Sequence, residues 1–466
     1  MSPTTARPGI FINVPLAALN DCRITPKFAI KILFMLQLQA IRENSDAIAR
    51  ALSKRNLEAG PLLEKVLQLD EKRRATQTRL DAVLAESNTL SREIGMLFKS
   101  GKAGEAEQLK ARSAQLKEES KTLNEVLTEA SDALEAALYL IPNTPHESVA
   151  KGNSSEDNEE IHREGDVPDL GENALPHWEL AKKYNIIDFE LGVKITGAGF
   201  PVYKGKGARL QRALISYFLD RNTAAGYQEL QVPHLVNEAS GYATGQLPDK
   251  EGQMYQLKDD TLYLIPTAEV PVTNLLRDSL LELKDLPLCY TAYTPCFRRE
   301  AGSYGAHVRG LNRLHQFDKV EIVRVEKPDT SYQALEGMVE HVKGILKELK
   351  LPYRILRLCG GDMGFTAALT YDFEVYSTAQ ERWLEISSVS NFETYQSNRL
   401  KLRFRDGNRK TQLAHTLNGS ALALPRVLAG ILENYQTAEG IRIPEVLIPY
   451  TGFEMIGEEN TIGYKI

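Results

Sequence analysis

Apolar residues recur at heptad spacing along two long stretches that precede residue 150. The first series is Val66, Leu69, Leu80, Val83, Leu90, Ile94 and Leu97. The second series is Leu109, Leu116, Leu123, Leu127, Leu134, Ala137 and Ile141. A turn signal with two glycines separates the two stretches at residues 99–104. The spacing predicts an antiparallel helical hairpin zipped along one seam, with about 35 residues per helix and a length of roughly 50 Å.

The seam of this hairpin is thin, because Arg73, Thr76 and Ser87 interrupt it. Two helices that bury only a narrow stripe form a projecting arm and not the core of a protein. Two interpretations of the arm stay open, a dimerisation coiled coil and a grip on nucleic acid. Cations near the tip favour nucleic acid weakly, because acids interleave them. The cations concerned are Lys99, Lys102, Lys110 and Arg112.

Beyond about residue 175 the pattern changes to short apolar runs that alternate with amphipathic stretches. The predicted strands are 227–233, 262–265, 288–293, 320–325, 371–376 and 383–387. The predicted helices are 208–225, 339–349 and 421–435. Several strands follow each other through short turns without a helical crossover, which favours a mainly antiparallel sheet flanked by helices. The predicted fold class is α+β, with the helical arm attached.

The composition divides the chain into four regions. Residues 1–34 hold four cations against one acid, and they are interpreted as a disordered extension, a start upstream of Met35, or an organelle transit peptide. Residues 35–150 form the arm. Residues 151–174 are polar and acidic, which predicts a linker. Residues 175–466 form the remaining globular domain.

Overall composition excludes several protein classes. A length of 466 residues with 42% hydrophobic content suits two or three domains, and a net charge of -6 argues against a generally basic nucleic-acid-coating protein. None of the four cysteines forms a C-x-x-C pair, so we predict no zinc site and a reducing, cytoplasmic location. No run of eighteen apolar residues occurs, so we predict no membrane span.

The segment 297–321 combines cations, an aromatic ring and carboxylates in one predicted strand–loop–strand. Arg298 and Arg299 supply guanidinium forks for phosphate, and Phe317 supplies a ring for a base. Glu300 and Glu321 supply carboxylates for an amine or a metal. Neither G-x-x-x-x-G-K-[ST] nor a well-placed G-x-G-x-x-G is present, so side chains on strands must hold any nucleotide.

Several segments occur in an order that resembles the class II aminoacyl-tRNA synthetases, and specifically the seryl-tRNA synthetases of bacterial type. Residues 226–233 resemble the first signature motif, residues 297–321 the second, and residues 418–423 with Arg426 the third. The remaining matching segments are 245–248, 267–269 and 385–391. The arm is similar to the family's tRNA-binding domain, so the resemblance covers all but residues 1–34.

The resemblance implies ATP-dependent activation of serine to seryl-adenylate, followed by transfer of the seryl group to tRNA(Ser). It also implies Mg²⁺ as a cofactor and a homodimer built across the first motif, with Pro233 at the interface. The implied ATP-binding residues are Arg298, Arg299, Glu300, Leu314, Phe317, Glu385, Ile386, Ser387, Ser388 and Arg426. The implied serine-binding residues are Thr267, Ala268, Glu269, Glu321 and Ser420.

Individual roles follow from the same resemblance. Arg298 is expected on the α-phosphate, and Arg426 on the γ-phosphate side and one adenine face, with Phe317 on the other face. Glu300 is expected at the adenine amino group. Glu385 and Ser388 are expected to hold magnesium. The implied catalytic residues are therefore the two phosphate-binding arginines, Arg298 and Arg426, together with Glu385.

Two alternatives to a serine–tRNA ligase stay open at this point. A paralogue could activate an amino acid and charge another acceptor, such as a carrier protein, although such an acceptor does not need the long arm. A non-catalytic coiled-coil scaffold is the other, although Arg298, Glu385 and Arg426 are all retained. Arg299, Leu314 and Val389 depart from the family's pattern.

Overall fold

The computed structural model describes residues 38–171, 174–300 and 308–458. The predicted N-terminal extension, residues 1–34, and the candidate start at Met35 lie outside the described residues. Within those three ranges, no helix combines the length and the apolar character that a membrane crossing requires.

The α-helices of the described ranges, in chain order, are α1 Leu38–Leu52, α2 Gly60–Lys99, α3 Ala103–Leu138, α4 His177–Lys183, α5 Phe189–Ile195, α6 Gly205–Ala224, α7 Glu238–Thr244, α8 Glu269–Asn274, α9 Ser331–Glu348, α10 Thr394–Leu400, α11 Leu424–Asn434 and α12 Ile448–Thr451.

The β-strands of the same ranges are β1 Glu159–Glu164, β2 Ile187–Asp188, β3 Val202–Tyr203, β4 Gln228–Glu229, β5 Leu235–Asn237, β6 Leu262–Leu264, β7 Leu280–Glu282, β8 Leu288–Phe297, β9 Gln316–Glu326, β10 Tyr353–Arg357, β11 Leu369–Ser377, β12 Arg382–Asn391, β13 Arg403–Arg405, β14 Thr411–Leu413, β15 His415–Ala423, β16 Ile441–Arg442 and β17 Met455–Ile456.

Helices α2 and α3 form the predicted helical hairpin. Helix α2 has 40 residues and α3 has 36, so the arm is roughly 60 Å long at about 1.5 Å per residue. Every residue of the two predicted heptad series is buried or half-buried. Arg73, which interrupts the apolar seam, is buried as well. Its charge is compensated there, because Nη2 pairs with Asp70 at 3.0 Å. Asp70 also accepts from Arg42 of α1 at 2.7 Å.

The root of the arm is fastened to the globular part by Arg55, which follows α1. Its guanidinium donates to the carbonyl oxygens of Asn143 at 2.9 Å, Met363 at 2.9 Å, Gly364 at 3.2 Å and Ala367 at 2.5 Å. One side chain thus satisfies four main-chain acceptors from two separate segments. Burial lowers the pKa of Arg55 to about 10.

The largest sheet of the described residues has eight strands in the order β1-β10-β11-β12-β15-β9-β8-β4. Neighbouring strands in this sheet pair antiparallel, except β4 and β8, which pair parallel. The predicted α+β class with a mainly antiparallel sheet is therefore confirmed. Amphipathic helix α9 packs on β12 and β15, and α11 packs on β9, β11 and β12. These helices bury the core face of the sheet.

Several predicted boundaries differ from the structure. The helix predicted at 339–349 begins eight residues earlier, as α9, and the strands predicted at 288–293 and 320–325 are longer, as β8 and β9. The helix predicted at 421–435 begins at Leu424, because residues 421–423 complete β15 and Pro425 suits only the first turn of a helix. The strand predicted at 227–233 is reduced to β4 at the sheet edge. The segment 151–174, predicted as a linker, contributes strand β1 to the opposite edge.

The central strands bring the candidate site residues to one region of the sheet. Arg298 directly follows β8, and Phe317 and Glu321 lie on β9. Strand β12 carries residues 385–388, and β15 carries Ser420. Strands β12, β15, β9 and β8 are consecutive neighbours, so segments that are distant in sequence become adjacent in space.

Candidate active site

A cleft of about 740 Å³ opens over these central strands. Arg298 and Arg426 both line it, so the two guanidinium groups share one cavity. Cavities that bind cofactors and small ligands typically measure about 300–1,000 Å³. The cleft is therefore large enough for a nucleotide together with a small amino acid.

Most of the predicted site residues line this cleft. Those that do are Thr267, Glu269, Arg298, Glu300, Leu314, Phe317, Glu321, Glu385, Ile386, Ser387, Ser388, Ser420 and Arg426. Arg299 is exposed and Ala268 is fully buried, and neither is among the lining residues of the described part. The Arg299 N–H donates to the carbonyl of Gln253 at 2.9 Å, so its contribution here is made by the main chain.

Arg298 lies over the ring of Phe317, with its Cζ atom 5.2 Å from the ring centroid. The Arg298 N–H donates to the His315 carbonyl at 2.9 Å, which fixes its main chain beside β9. A guanidinium over an aromatic face is attracted by the ring's negative quadrupole. Arg298 is thus held next to the surface predicted to receive a base.

Arg426 occupies the first turn of α11 and is held by main-chain oxygens. Its Nε donates to the Asn312 carbonyl at 2.9 Å, and its Nη1 donates to the Glu385 carbonyl at 2.9 Å. The Glu385 carboxylate lies 3.7 Å from Nη1. These bonds use two of the five N–H groups of the guanidinium, and the contacts of Arg426 within the described ranges involve Nε and Nη1.

Glu300 was predicted to hold an adenine amino group, and its carboxylate pairs with Arg313. The Glu300 N–H donates a hydrogen bond to Gln253 Oε1 at 3.1 Å. The pair joins the two limbs of the loop between β8 and β9. Because a carboxylate has several acceptor positions, this pairing leaves room for a further donor.

A polar corner of the cleft contains three of the predicted serine-binding residues, Thr267, Glu269 and Glu321. Thr267 Oγ1 donates to Glu321 Oε2 at 3.0 Å, and the buried Lys319 pairs with the same oxygen at 2.5 Å. Glu269 Oε1 accepts from Gln396 Nε2 at 2.6 Å. Gln396 is itself held through its oxygen by Thr416 at 2.8 Å. Two carboxylates with fixed orientations therefore face one small space.

Burial raises the pKa of Glu269 from 4.5 to about 7. The hydrogen bond from Gln396 lowers that pKa, the charge of Glu321 raises it, and the cations Lys319 and Arg298 lower it. Burial outweighs the rest, since the side chain is almost wholly inside the protein. The carboxyl group is close to half-ionised at neutral pH, and a cationic ligand would favour its charged form.

The residues predicted to hold magnesium, Glu385 and Ser388, lie beside a second carboxylate that the sequence did not indicate. Ser388 Oγ lies 3.5 Å from Glu385 Oε1, and Asp372 faces Ser388 across β11 and β12. Asp372 Oδ1 is buried and has no hydrogen-bond partner among the residues that the structure describes. Burial, and then the charge of Glu385, raises the pKa of Asp372 well above its usual value.

No group of three or more His, Cys, Asp or Glu side chains within 38–171, 174–300 and 308–458 is arranged to hold a metal ion. Magnesium, however, is commonly bound through one or two carboxylates together with substrate phosphates. An orphaned carboxylate oxygen beside Glu385 and Ser388 fits such a cation, which would supply the missing partner.

Sequence reasoning missed three lining residues, Lys319, Asp372 and Asn418. It also missed Gln396, which contacts the cleft residue Glu269. Lys319 and Asn418 each lie two positions before a predicted site residue on a strand, and the period-2 alternation could have indicated them. Asp372 reaches the cleft through strand register, and Gln396 reaches Glu269 through helix packing. Neither carries a local signal in the sequence.

The predicted cations of the arm are exposed and partly neutralised. Lys102 pairs with Glu105 at 3.2 Å, and Arg112 pairs with Glu86 at 2.7 Å. The Lys110 ammonium lies 2.8 Å from a carboxylate oxygen of Glu107 and 5.0 Å from the ring centroid of Phe98. Lys99 is the last residue of α2, at the tip. Exposed pairs of this kind contribute little stability and can be exchanged for other partners.

Two family models match the chain. The model of the seryl-tRNA synthetase N-terminal domain matches residues 35–145. The model of the class II tRNA synthetase core domain (G, H, P, S and T) matches residues 254–435. These two ranges contain the arm and the central strands of the cleft.

Relatives match over most of the chain. A serine–tRNA ligase of Salinibacter ruber is 50% identical over 427 residues, which is 91% of this chain and 100% of the relative. The crystal structure of seryl-tRNA synthetase from Pyrococcus horikoshii complexed with ATP has a TM-score of 0.83 at 32% identity, covering 91% of this chain and 99% of that chain. The cytoplasmic serine–tRNA ligase of Naegleria fowleri in complex with AMP has a TM-score of 0.79 at 27% identity, with the same coverage. With half of the 427 aligned residues identical to those of a relative that is matched along its full length, this chain belongs to the seryl-tRNA synthetase family of class II aminoacyl-tRNA synthetases.

Proposed function

We propose that the cleft activates serine with ATP and passes the seryl group to tRNA(Ser). One observation carries the assignment of the site: Arg298 and Arg426 line a single cleft beside the polar corner formed by Thr267, Glu269 and Glu321. Guanidinium forks suit the phosphates of ATP, and the carboxylates suit the ammonium and hydroxyl groups of serine. The relatives' names and their complexes with ATP and AMP support the same function.

The first step joins the serine carboxylate to the α-phosphorus of ATP and releases pyrophosphate. That carboxylate is ionised at neutral pH, so no general base has to remove a proton from the nucleophile. The protein has to align the reactants and offset negative charge at phosphorus. In our proposal Arg298 binds the α-phosphate, Arg426 binds toward the γ-phosphate, and Phe317 stacks on the adenine.

We propose Glu385 and Ser388 as magnesium ligands, with Asp372 completing the oxygen-rich surface. When bound, Mg²⁺ would offset the charge of the triphosphate. The unpartnered oxygen of Asp372 supports a cation at this place. Arg426, held by the Glu385 carbonyl at 2.9 Å, keeps its cationic fork beside the same surface.

Selectivity for serine would come from hydrogen bonding in the polar corner. Glu269 would receive the ammonium group, and Glu321 with Ser420 would bind the hydroxyl. Alanine would leave these buried groups unpaired, which typically costs far more than the loss of apolar contact. Threonine adds one methyl group, so its rejection is a matter of space.

Transfer requires the tRNA to span the arm and the cleft. We propose that Lys99, Lys102, Lys110 and Arg112 contact phosphates of tRNA(Ser), giving up their exposed acidic partners. We further propose a homodimer in which Pro233, which is exposed next to the edge strand β4, lies at the interface. Light scattering at micromolar concentration tests the dimer, and a monomeric mass contradicts it.

A cytoplasmic location is part of the proposal. The described cysteines Cys289, Cys296 and Cys359 are all free thiols, as a reducing compartment favours. Fractionation of cells with an antibody against the chain tests this point. Recovery in an oxidising compartment would contradict it.

Serine-dependent exchange of pyrophosphate into ATP tests the first step. Arg298→Ala is expected to lower the exchange rate by about 10²–10³, the usual loss for one preorganised transition-state contact. Arg403→Ala is the matched control, because Arg403 is an exposed arginine of β13 and is absent from the lining of the cleft in the described part. No exchange by the intact protein would favour a scaffold.

Transfer of labelled serine to total tRNA tests the second step. Charging of tRNA, with a raised KM for tRNA when Lys102 and Arg112 are both changed to Ala, is the expected result. Exchange that proceeds without any transfer to tRNA would favour the paralogue that charges another acceptor.

A further inference from the structure

Outside the cleft, a buried carboxylate near the end of α11 has no role in the function proposed so far. The side chain of Glu433 is 0% exposed, and so is that of its partner His177 from α4. Glu433 is absent from the residues of the described ranges that line the cleft. A buried charge is costly unless donors satisfy it, so its presence needs an explanation.

Four donors meet at Glu433. The His177 N–H at 2.8 Å, His177 Nδ1 at 2.7 Å and Gln380 Nε2 at 2.8 Å all contact Oε1. The hydroxyl of Ser377 donates to Oε2. We name Glu433, His177, Ser377 and Gln380 the Glu433 network.

The network is connected to the segment before β9 at two points. The Leu311 N–H donates to His177 Nε2 at 2.8 Å, so this nitrogen is an acceptor and the ring proton lies on Nδ1, directed at Glu433. Asn312 Nδ2 donates to Gln380 Oε1 at 2.9 Å. Gly310 packs so closely that a Cβ atom there would lie 2.3 Å from His177 Nε2.

The same segment holds the functional end of α11. The Asn312 carbonyl accepts from Arg426 Nε at 2.9 Å. Arg426 and Glu433 are seven positions apart on α11, two turns along the same face. The hydrogen bonds therefore close a ring from Arg426 to Asn312, through Gln380 to Glu433, and back along the helix.

From this geometry we infer that the Glu433 network is a positioning device that fixes Arg426 in the orientation needed for ATP. His177 and Glu433 are both absent from the lining of the cleft in the described ranges. The network holds the main chain at Leu311 through His177 and the side chain of Asn312 through Gln380. These contacts fix the Asn312 carbonyl, which sets the angle of the Arg426 guanidinium. A side chain aimed in advance loses less conformational entropy when it binds phosphate.

The inference rests on the proposed role of Arg426, so the experiment is a double-mutant cycle. His177→Asn keeps a donor near Glu433 and removes the acceptor of the Leu311 N–H. In the wild-type background it is expected to raise the KM for ATP and lower kcat/KM for exchange about tenfold, as for loss of one buried hydrogen bond. In the Arg426→Ala background the same change is expected to cost less than about twofold.

A purely structural role predicts a different result. Loss of folded protein would lower kcat with unchanged KM for ATP and serine, by the same factor in both backgrounds. The network acts on ATP alone, so the KM for serine is expected to stay within about twofold of wild type, because distant sites are usually independent. Equal losses in both backgrounds, or no loss in the wild-type background, would overturn the inference.

Two variants complete the design. His415→Asn is the matched control, since His415 is also buried and hydrogen-bonded, to Ser331 at 2.8 Å, and it has no bond to the Glu433 network among the described residues. Gln380→Met replaces His177→Asn if that variant does not fold, because Gln380 is half-exposed and links Asn312 to Glu433. Its expected loss is about threefold, and an equal loss in the Arg426→Ala background would overturn the inference. If Arg426→Ala itself leaves exchange unchanged, the proposed role of Arg426 fails.

Discussion

The proposed role of the buried acid Glu269 predicts that serine binding depends on pH. Burial raises the pKa of Glu269 to about 7, and the proposed partner of this group is the serine ammonium. Only the ionised carboxylate attracts that cation. At pH 6 roughly a tenth of the molecules carry the charge, so the KM for serine is expected to be about tenfold above its value at alkaline pH.

The assay is serine-dependent pyrophosphate exchange at saturating ATP and magnesium, between pH 5.5 and 8.5. The KM for serine should fall as pH rises and level off above about pH 7, while the KM for ATP measured at the same pH values stays flat. Glu269→Gln should raise the KM for serine at pH 8 and abolish its pH dependence. A flat profile in the wild type, or an unchanged profile in the variant, would refute this role of Glu269.

The raised pKa of Glu269 also affects the stability of the fold, and there the ionised form is the unfavourable one. The folded-state pKa of about 7 exceeds the unfolded value of 4.5, so the folded state binds more protons between these values. Stability is therefore lost as pH rises from about 4.5 to 7. The cost above pH 7 is about 3 kcal/mol at 1.36 kcal/mol per pKa unit. Glu269→Gln should remove most of it, so urea denaturation at pH 8 should show a more stable protein, with no gain at pH 4.5.

Three further changes test other parts of the structure. Leu116→Ala removes a fully buried side chain of the arm seam, so it should cost about 2–5 kcal/mol locally, speed proteolysis of the arm and leave pyrophosphate exchange unchanged. Arg55→Met should leave four main-chain acceptors unpaired and speed hydrogen exchange around residues 363–367, and unchanged protection there would show that the arm root is held otherwise. Asp372→Asn should raise the Mn²⁺ concentration needed for half-maximal paramagnetic binding in the presence of ATP, and an identical titration curve would remove Asp372 from the cation surface.

The arm and the main motifs could be predicted because their signals are local. Heptad spacing depends on one helix at a time, and it placed Leu80, Leu116 and Leu134 in the seam, where the structure buries them. Charged and aromatic residues of the second motif lie close together in the sequence. Their placement around one cleft follows once β8 and β9 pair.

The features that the sequence did not predict depend on contacts between distant segments of the chain. Strand β1 has the sequence EEIHRE, whose charges indicated a linker, and only its pairing with β10 makes it a strand. Asp372 reaches the cleft through the register of β11 on β12, and His177 reaches the segment before β9 through tertiary packing. Neither register nor packing can be obtained from residue types taken one segment at a time.

Strand β1 has a practical consequence for dissecting the molecule. It covers Tyr353–Arg357, and it is fastened by Arg354 to Glu160 at 3.3 Å and by Arg357 to Glu159. A truncated catalytic fragment that begins at residue 175 would lack β1. The main-chain N–H and C=O groups of β10 would then be exposed and could pair with the edge of another molecule. A fragment that begins ahead of Asn143 keeps both the cover and the amide that anchors the chain to Phe392 at 2.9 Å.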